Sequence, residues 1–321
     1  MVILSNMIDF VTVLIIIFLA SCLIKISQSV FIKNNYIDKI NHRSSHSVVS
    51  TRSGGIAILV TLLITSTVFY INGFELYNYS LLIPIIILGV VGIYDDIHSV
   101  DFKLKFIVQI IAAKIIIDNG LIIDNFHGIL GLYEINRILA QCVTILVICS
   151  IINAINFIDG IDGLAVSVFI FFITLFELFA EIPTGFSNLS IIMVSSITPL
   201  LYFNYKKDFK VFLGDSGSLF LGGLVSVYVL KILSNDYIIK PEFDLNKILF
   251  VISILSYPII DFTRVIFIRL SNGVSPFMAD RRHIHHIIQK KTNKHYKVVA
   301  IIVIAQLTLM FIIQGLFNFI I

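Results

Sequence analysis

The stretch Asn153-Ala-Ile-Asn-Phe-Ile-Asp-Gly-Ile-Asp-Gly-Leu-Ala165 sets two amides and two carboxylates at three-residue spacing, followed by two glycines, between long apolar runs. Asp159 and Asp162 would be costly in lipid, so they face water, a metal or a partner. Asn156 and Asp159 lie one turn apart if the preceding apolar run stays helical to its end. Gly160 and Gly163 then allow a sharp turn, or a close approach of backbone to a ligand. Three other groups carry similar chemistry. In Tyr94-Asp95-Asp96 the adjacent carboxylates repel one another, which invites a divalent cation or a basic phosphate-binding group. Phe212-Leu-Gly-Asp-Ser-Gly-Ser218 surrounds one carboxylate, Asp215, with glycines that let backbone fold closely about a metal or a phosphate. Ser275-Pro-Phe-Met-Ala-Asp-Arg-Arg-His-Ile-His-His286 gathers Arg281, Arg282, His283, His285 and His286. Zinc favours histidines at i and i+4, or further acid and thiolate ligands, so it fits this spacing poorly. Beside two arginines the histidines suit a pyrophosphate better.

These residues must be positioned by membrane helices. Mean hydropathy is +0.98, hydrophobic residues make up 58% of the chain and charged residues only 13%, which is too few to cover a soluble surface of this size. A spanning helix needs about 20 apolar residues. Ten runs approach this, centred near Ile17, Leu63, Ile87, Ile111, Leu146, Ile173, Val194, Leu224, Ile254 and Leu309, with the fourth and seventh short. The expected fold is therefore all-α: a polytopic helical bundle of about ten spans, in one domain over residues 1–321. The first run lacks the basic start and small-residue cleavage site of a secretory signal and is expected to be retained. Gly120 to Asn136 reads as a small hairpin. Cys22, Cys142 and Cys149 all lie in apolar runs without metal or disulfide spacing.

Basic residues give the orientation. Of 23 Lys and Arg, 18 fall on one side: Lys25 to Arg52, Lys103 and Lys105, Lys206 to Lys210, Arg264 and Arg269, and Arg281 to Lys297. The positive-inside rule places this side in the cytoplasm. Asp95, Asp96, Asp159, Asp162, Asp215 and the histidines then share it, although only basic residues were used to assign it. A site at the inner face of the membrane is implied.

The order and content of these motifs resemble those of the polyprenyl-phosphate N-acetylhexosamine-1-phosphate transferases, the WecA/MraY-like glycosyltransferases of family 4. The likeness runs from about Arg43 to His286, with five motifs in family order. Asp95 and Asp96 match the family's catalytic aspartate pair, and Lys105 matches a phosphate-contacting lysine. Asp159 completes the implied catalytic set, and Asp162 is implied as a substrate contact. Phe212 matches the aromatic near the uracil, while Asn156 and Asp215 match the magnesium ligands. His283-Ile-His-His286 follows the WecA-type branch, and Pro258, Asp261 and Arg269 fit it too. In the first cytoplasmic loop Arg43, His46, Arg52, Gly54 and Gly55 match, and Arg43, His46 and Arg52 are implied to serve the substrates. Val49 and Thr51 stand where the family has prolines, and Ser53 replaces a glycine.

The resemblance implies transfer of N-acetylhexosamine-1-phosphate, by default GlcNAc-1-phosphate, from a UDP-sugar to undecaprenyl phosphate. The products are UMP and the lipid diphosphate sugar that begins a surface polysaccharide. Magnesium is the implied cofactor, with manganese the alternative. The partners are the two substrates and membrane lipid, with no nucleic acid and with a homodimer as the assembly suggested. The location is the inner (plasma) membrane. The competing class is a secondary transporter, whose acids would sit near the bilayer midplane on related halves. Here the acids sit at span ends, and no internal repeat is present.

Overall fold

The computed structural model describes residues 10–38, 49–241, 246–275 and 281–320, so Arg43 and His46 lie outside the described residues. Twelve helices follow one another: α1 (Phe10–Lys33), α2 (Gly54–Ile71), α3 (Leu82–His98), α4 (Phe102–Asp118), α5 (Arg137–Ile158), α6 (Leu164–Phe179), α7 (Ser187–Tyr205), α8 (Gly214–Leu233), α9 (Lys247–Ile254), α10 (Ser256–Ser271), α11 (Ile284–Thr292) and α12 (His295–Ile320). All ten expected centres fall inside these helices. Six helices or helix-plus-turn segments are long and apolar enough to cross a membrane: α1, α2, α3 with its preceding turn, α5, α8 and α12. The α9–α10 pair, bent by 78°, could make a seventh. This is a multi-pass membrane bundle, in which α4 and α6 run only 17 and 16 residues. In α7 the buried Ser190, Ser195, Ser196 and Asn204 dilute the apolar signal, because that helix faces protein as well as its surroundings.

The bundle is organised around α8, whose span is almost wholly buried. It packs most extensively on α3 and then on α5. Its small residues permit this: Gly222 lies against the Ile152 backbone of α5, and Gly92 of α3 lies against the backbone of Asp215 and Ser216. Two short parallel strands, β1 (Ser50–Thr51) and β2 (Lys210–Val211), join the segment before α2 to the segment before α8. Lys210 donates to the Val49 carbonyl at 3.1 Å and Phe212 to that of Thr51 at 2.8 Å. Gly54 and Gly55 donate back to the carbonyls of Phe212 and Leu213. This clamp carries Arg52 to the N-terminus of α8. At the opposite end, Asn125 and Glu134 pair in the expected hairpin between α4 and α5.

Candidate active site

The acid groups converge where α3 ends, α4 and α8 begin, and α5 meets its turn. Asp96 accepts from the backbone N–H groups of both Asp215 and Ser216 at 2.9 Å, so it caps the first turn of α8. Its neighbour Asp95 accepts from Val100 N–H at 2.5 Å and from Lys105 Nζ at 3.0 Å. Lys105, in the first turn of α4, also reaches Asp215 Oδ2 at 3.0 Å and so bridges two carboxylates. Asn156 sits in the last turn of α5, with its amide nitrogen 3.3 Å from Asp215 Oδ1 and 2.8 Å from Ser218 Oγ. Asp159 caps the end of α5 and accepts from Gly214 N–H. Burial, with Asp215 and Asp96 close by, pushes its carboxyl well above the usual range, while Arg52 and the Gly214 bond oppose the shift. Arg52 pairs with Asp38 at 3.1 Å. Burial works against its charge, yet Asp38, Asp96 and Asp215 together hold its pKa above the ordinary value.

Four carboxylates thus face two cations, Lys105 and Arg52. An excess of hard oxygen donors suits a small divalent cation. The fit is specific at Asp215 and Asn156: turning the Asn156 amide about its last bond directs its oxygen to the space beside Asp215.

A pocket of about 360 Å³ opens beside this cluster. Its lining includes Lys105, Asn156 and Asp159 together with Arg269, His283 and His286. An amide pair, Asn153 Nδ2 donating to Gln109 Oε1 at 2.7 Å, also lines it and joins α5 to α4. Asp159 and the histidines, more than a hundred residues apart in sequence, therefore share one cavity. His285 is not part of its lining. Its ring is fully buried behind it, with Nδ1 2.8 Å from Tyr257 Oη and Nε2 without a partner. Burial and the neighbouring His286 and His283 hold its pKa well below the usual value, and His286 is lowered chiefly by burial.

Other expected residues lie apart from the cavity wall. Asp162 is buried, its carboxylate 3.0 Å from His295 Nδ1 and in contact with Lys210 Nζ. Burial alone would raise this carboxyl, but His295 and Lys210 outweigh it and hold it below the usual range. In this structure Asp162 thus ties the α5–α6 turn to β2 and to the start of α12. The turn itself depends on Gly163, at φ +76°, whose N–H reaches Asn204 Oδ1 at 2.9 Å. Phe212 is half-buried beside the clamp, and Arg281 and Arg282 are exposed at the approach to α11. The Arg282 carbonyl accepts from Arg264 at 2.7 Å. Sequence reasoning gave no site role to Gln109, Phe157, Tyr257, Asp261 or Arg269. A signal was present for Gln109, one turn beyond Lys105 on the same face of α4.

The sequence profile of glycosyl transferase family 4 matches residues 78–233, just under half of the chain, and that stretch contains the whole acid cluster. The probable undecaprenyl-phosphate N-acetylglucosaminyl 1-phosphate transferase of Bacillus subtilis is 29% identical over 268 residues, which covers 81% of this chain and 72% of that protein. Over residues 78–233 the chain is similar to glycosyl transferase family 4. The undecaprenyl-phosphate alpha-N-acetylglucosaminyl 1-phosphate transferases of Salmonella typhi and Escherichia coli K12 are similar at 28% and 27% identity. Those alignments cover 83% and 89% of this chain, and 72% and 78% of the two relatives. The acid cluster lies inside the matched region, while the histidine motif lies beyond it.

Proposed function

We propose that this protein transfers N-acetylhexosamine-1-phosphate, foremost GlcNAc-1-phosphate, from a UDP-sugar to undecaprenyl phosphate, and so begins a cell-surface polysaccharide. One observation carries the reading: a single cavity is lined by Lys105, Asn156 and Asp159 together with Arg269, His283 and His286. An anionic diphosphate needs both a cation site and basic donors, and this lining supplies them. The activities for which the relatives are named supply the acceptor and the sugar.

An oxygen of the lipid phosphate attacks the β-phosphorus of the UDP-sugar in line. The bond from that phosphorus to the bridging oxygen breaks, and the bridging oxygen leaves with UMP. A phosphate monoester is largely dianionic near neutral pH, its second pKa being about 6. Asp95 therefore needs only to orient the nucleophile and take up a residual proton. Lys105 steers phosphate oxygens between the acids, and Asp96 keeps the α8 N-terminus in register. Asp215 and Asn156 are the residues that would hold magnesium, or manganese, which when bound offsets the diphosphate charge and stabilises the leaving UMP. Arg281, Arg282 and the histidine loop bring donors to the nucleotide side, and Arg43, His46 and Arg52 of the first loop serve the substrates. A covalent aspartyl intermediate is the less favoured route, since Asp95 is held by Lys105 and Val100.

The basic asymmetry supports a cytoplasmic site in the inner membrane with ten spans, α4, α6 and α7 crossing as short helices packed within the bundle. The deciding experiment incubates purified protein with UDP-GlcNAc, a polyprenyl phosphate and magnesium. Release of UMP with formation of lipid diphosphate sugar is expected; no release with any UDP-N-acetylhexosamine would end this reading.

A further inference from the structure

α10 presents four residues at four-residue spacing on one face: Tyr257, Asp261, Val265 and Arg269, all buried. Three of them engage the histidine motif. Tyr257 Oη lies 2.8 Å from His285 Nδ1. Asp261 Oδ2 lies 2.6 Å from His283 Nδ1, and Asp261 Oδ1 accepts the Ile284 N–H at 2.7 Å, which opens α11. An Arg269 nitrogen stands 3.5 Å from His283 Nε2. One buried carboxylate therefore fixes both the ring and the helix that carries it.

We infer that Asp261 is a positioning residue: it holds His283 with Nδ1–H bonded behind the ring, so that Nε2 accepts from Arg269 and steadies that guanidinium at the cavity, where it meets the diphosphate of the UDP-sugar. The carboxylate accepts only, so the ring nitrogen facing it must carry the proton. The nitrogen presented to Arg269 is thereby always the same one. His285 plays a different part. Its unpartnered Nε2 is wedged against Gly160, where an added Cβ would lie 2.9 Å away, so this ring holds α11 against the α5–α6 turn. The arrangement resembles the orientation of a metal-bound or catalytic histidine by a carboxylate behind it. The positioning role rests on the reading that the UDP-sugar diphosphate lies in this cavity.

Asp261→Asn keeps the shape and one acceptor for the Ile284 N–H, but it can turn an amide donor toward His283 and reverse the ring's tautomer. The UMP-release assay is run with each substrate varied, on Asp261→Asn, His283→Ala and the double variant. Each single change is expected to raise KM for UDP-GlcNAc about tenfold, the scale of one lost charge-assisted bond, with KM for the polyprenyl phosphate little moved. The double variant should be no worse than His283→Ala, because Asp261 acts through that ring. If His283→Ala raises KM but Asp261→Asn does not, or if the two effects multiply, the positioning role is wrong while the proposed site stands. An unchanged KM in His283→Ala removes the diphosphate from these residues, and the positioning role with it. Wild-type protein labelled with ¹⁵N-histidine gives a test independent of variant folding. The His283 ring, assigned by its loss in His283→Ala, should show a protonated Nδ1; an unprotonated Nδ1 overturns the inference.

Discussion

Gly92→Ala tests whether the register between α3 and α8 sets the chemistry. A Cβ at Gly92 would lie 2.4 Å from the Asp215 carbonyl oxygen and 2.5 Å from Ser216 Cα, where ordinary contact begins at 3.4 Å. Both opposing atoms are backbone, so α3 must retreat by about 1 Å to restore contact. Asp96 lies one turn beyond Gly92 on the same face and moves with it. Its two 2.9 Å bonds to the α8 N-terminus would then stretch toward about 3.9 Å, past the limit of a hydrogen bond. Overpacking of this kind costs about 1–3 kcal/mol of stability, and a misplacement of about 1 Å at reacting groups costs about a hundredfold in rate. Gly223→Ala is the matched control on α8. Its Cβ would meet Leu88 Cδ1 at 2.5 Å and Ile85 Cδ1 at 3.1 Å, the mobile ends of side chains rather than backbone. The assay is UMP release under saturating substrates, beside thermal unfolding in detergent. Gly92→Ala should lose about two orders of magnitude in kcat while still folding, and Gly223→Ala should lose far less. Equal kcat in the two variants would refute the claim that this contact holds the acid cluster in register.

Further outcomes concern the metal, the acids and pH. Asp215→Asn and Asn156→Ala should abolish turnover at ordinary magnesium without unfolding the protein, since each removes or weakens a hard-oxygen ligand; a magnesium titration with near-normal turnover would exclude that site. Asp95→Asn should lower kcat severely with UDP-sugar affinity largely kept, measured by calorimetry, because a carboxylate has the wrong charge to bind phosphate directly. The buried His285, whose pKa is depressed by burial and its histidine neighbours, should make acid destabilising. The unfolded chain takes up a proton near pH 6.5 that the folded ring refuses, so stability falls by up to about 1.4 kcal/mol per pH unit below that point. Against wild type, His285→Gln should flatten the fall in melting temperature between pH 7 and pH 5; identical slopes would mean that the ring titrates freely.

Legibility differed between the acids and the histidines. Asp95, Asp96, Asn156, Asp159 and Asp215 could be singled out because charge beside a span end needs a physical reason, and the structure brings all five together. Their division of labour could not be read, because Asp96 acts through two backbone N–H groups of another helix, and no residue type announces a backbone donor. Asp162 shows the same limit in reverse. Its spacing from Asp159 marks it as a site residue, yet its partners Lys210 of β2 and His295 of α12 lie 48 and 133 residues away, and tertiary packing alone chose them. Helix centres were legible because apolar runs follow from the solvent. The number that cross was not: α7 carries its polar residues inward, and the break before Ser256 bends the α9–α10 run by 78°.

The break also explains how the histidine motif reaches the acids. A straight helix through Ile254 would carry Asp261 and Arg269 on along the bundle axis, away from the first turns of α4 and α8. Bent at Leu255, α10 instead crosses α5 near Phe157, where its buried face meets the motif that follows it in sequence. Gln306 of α12 donates to the Ile254 carbonyl at 3.3 Å, supplying a partner to one backbone group at the bend. The order of causes therefore runs from the bend to the buried face of α10, from that face to the set of the histidine rings, and from the rings to the cavity lining. Tyr257 stands in none of the motifs that first drew attention, and the four-residue steps that link it to Asp261, Val265 and Arg269 have meaning only once α10 is known to be one helix.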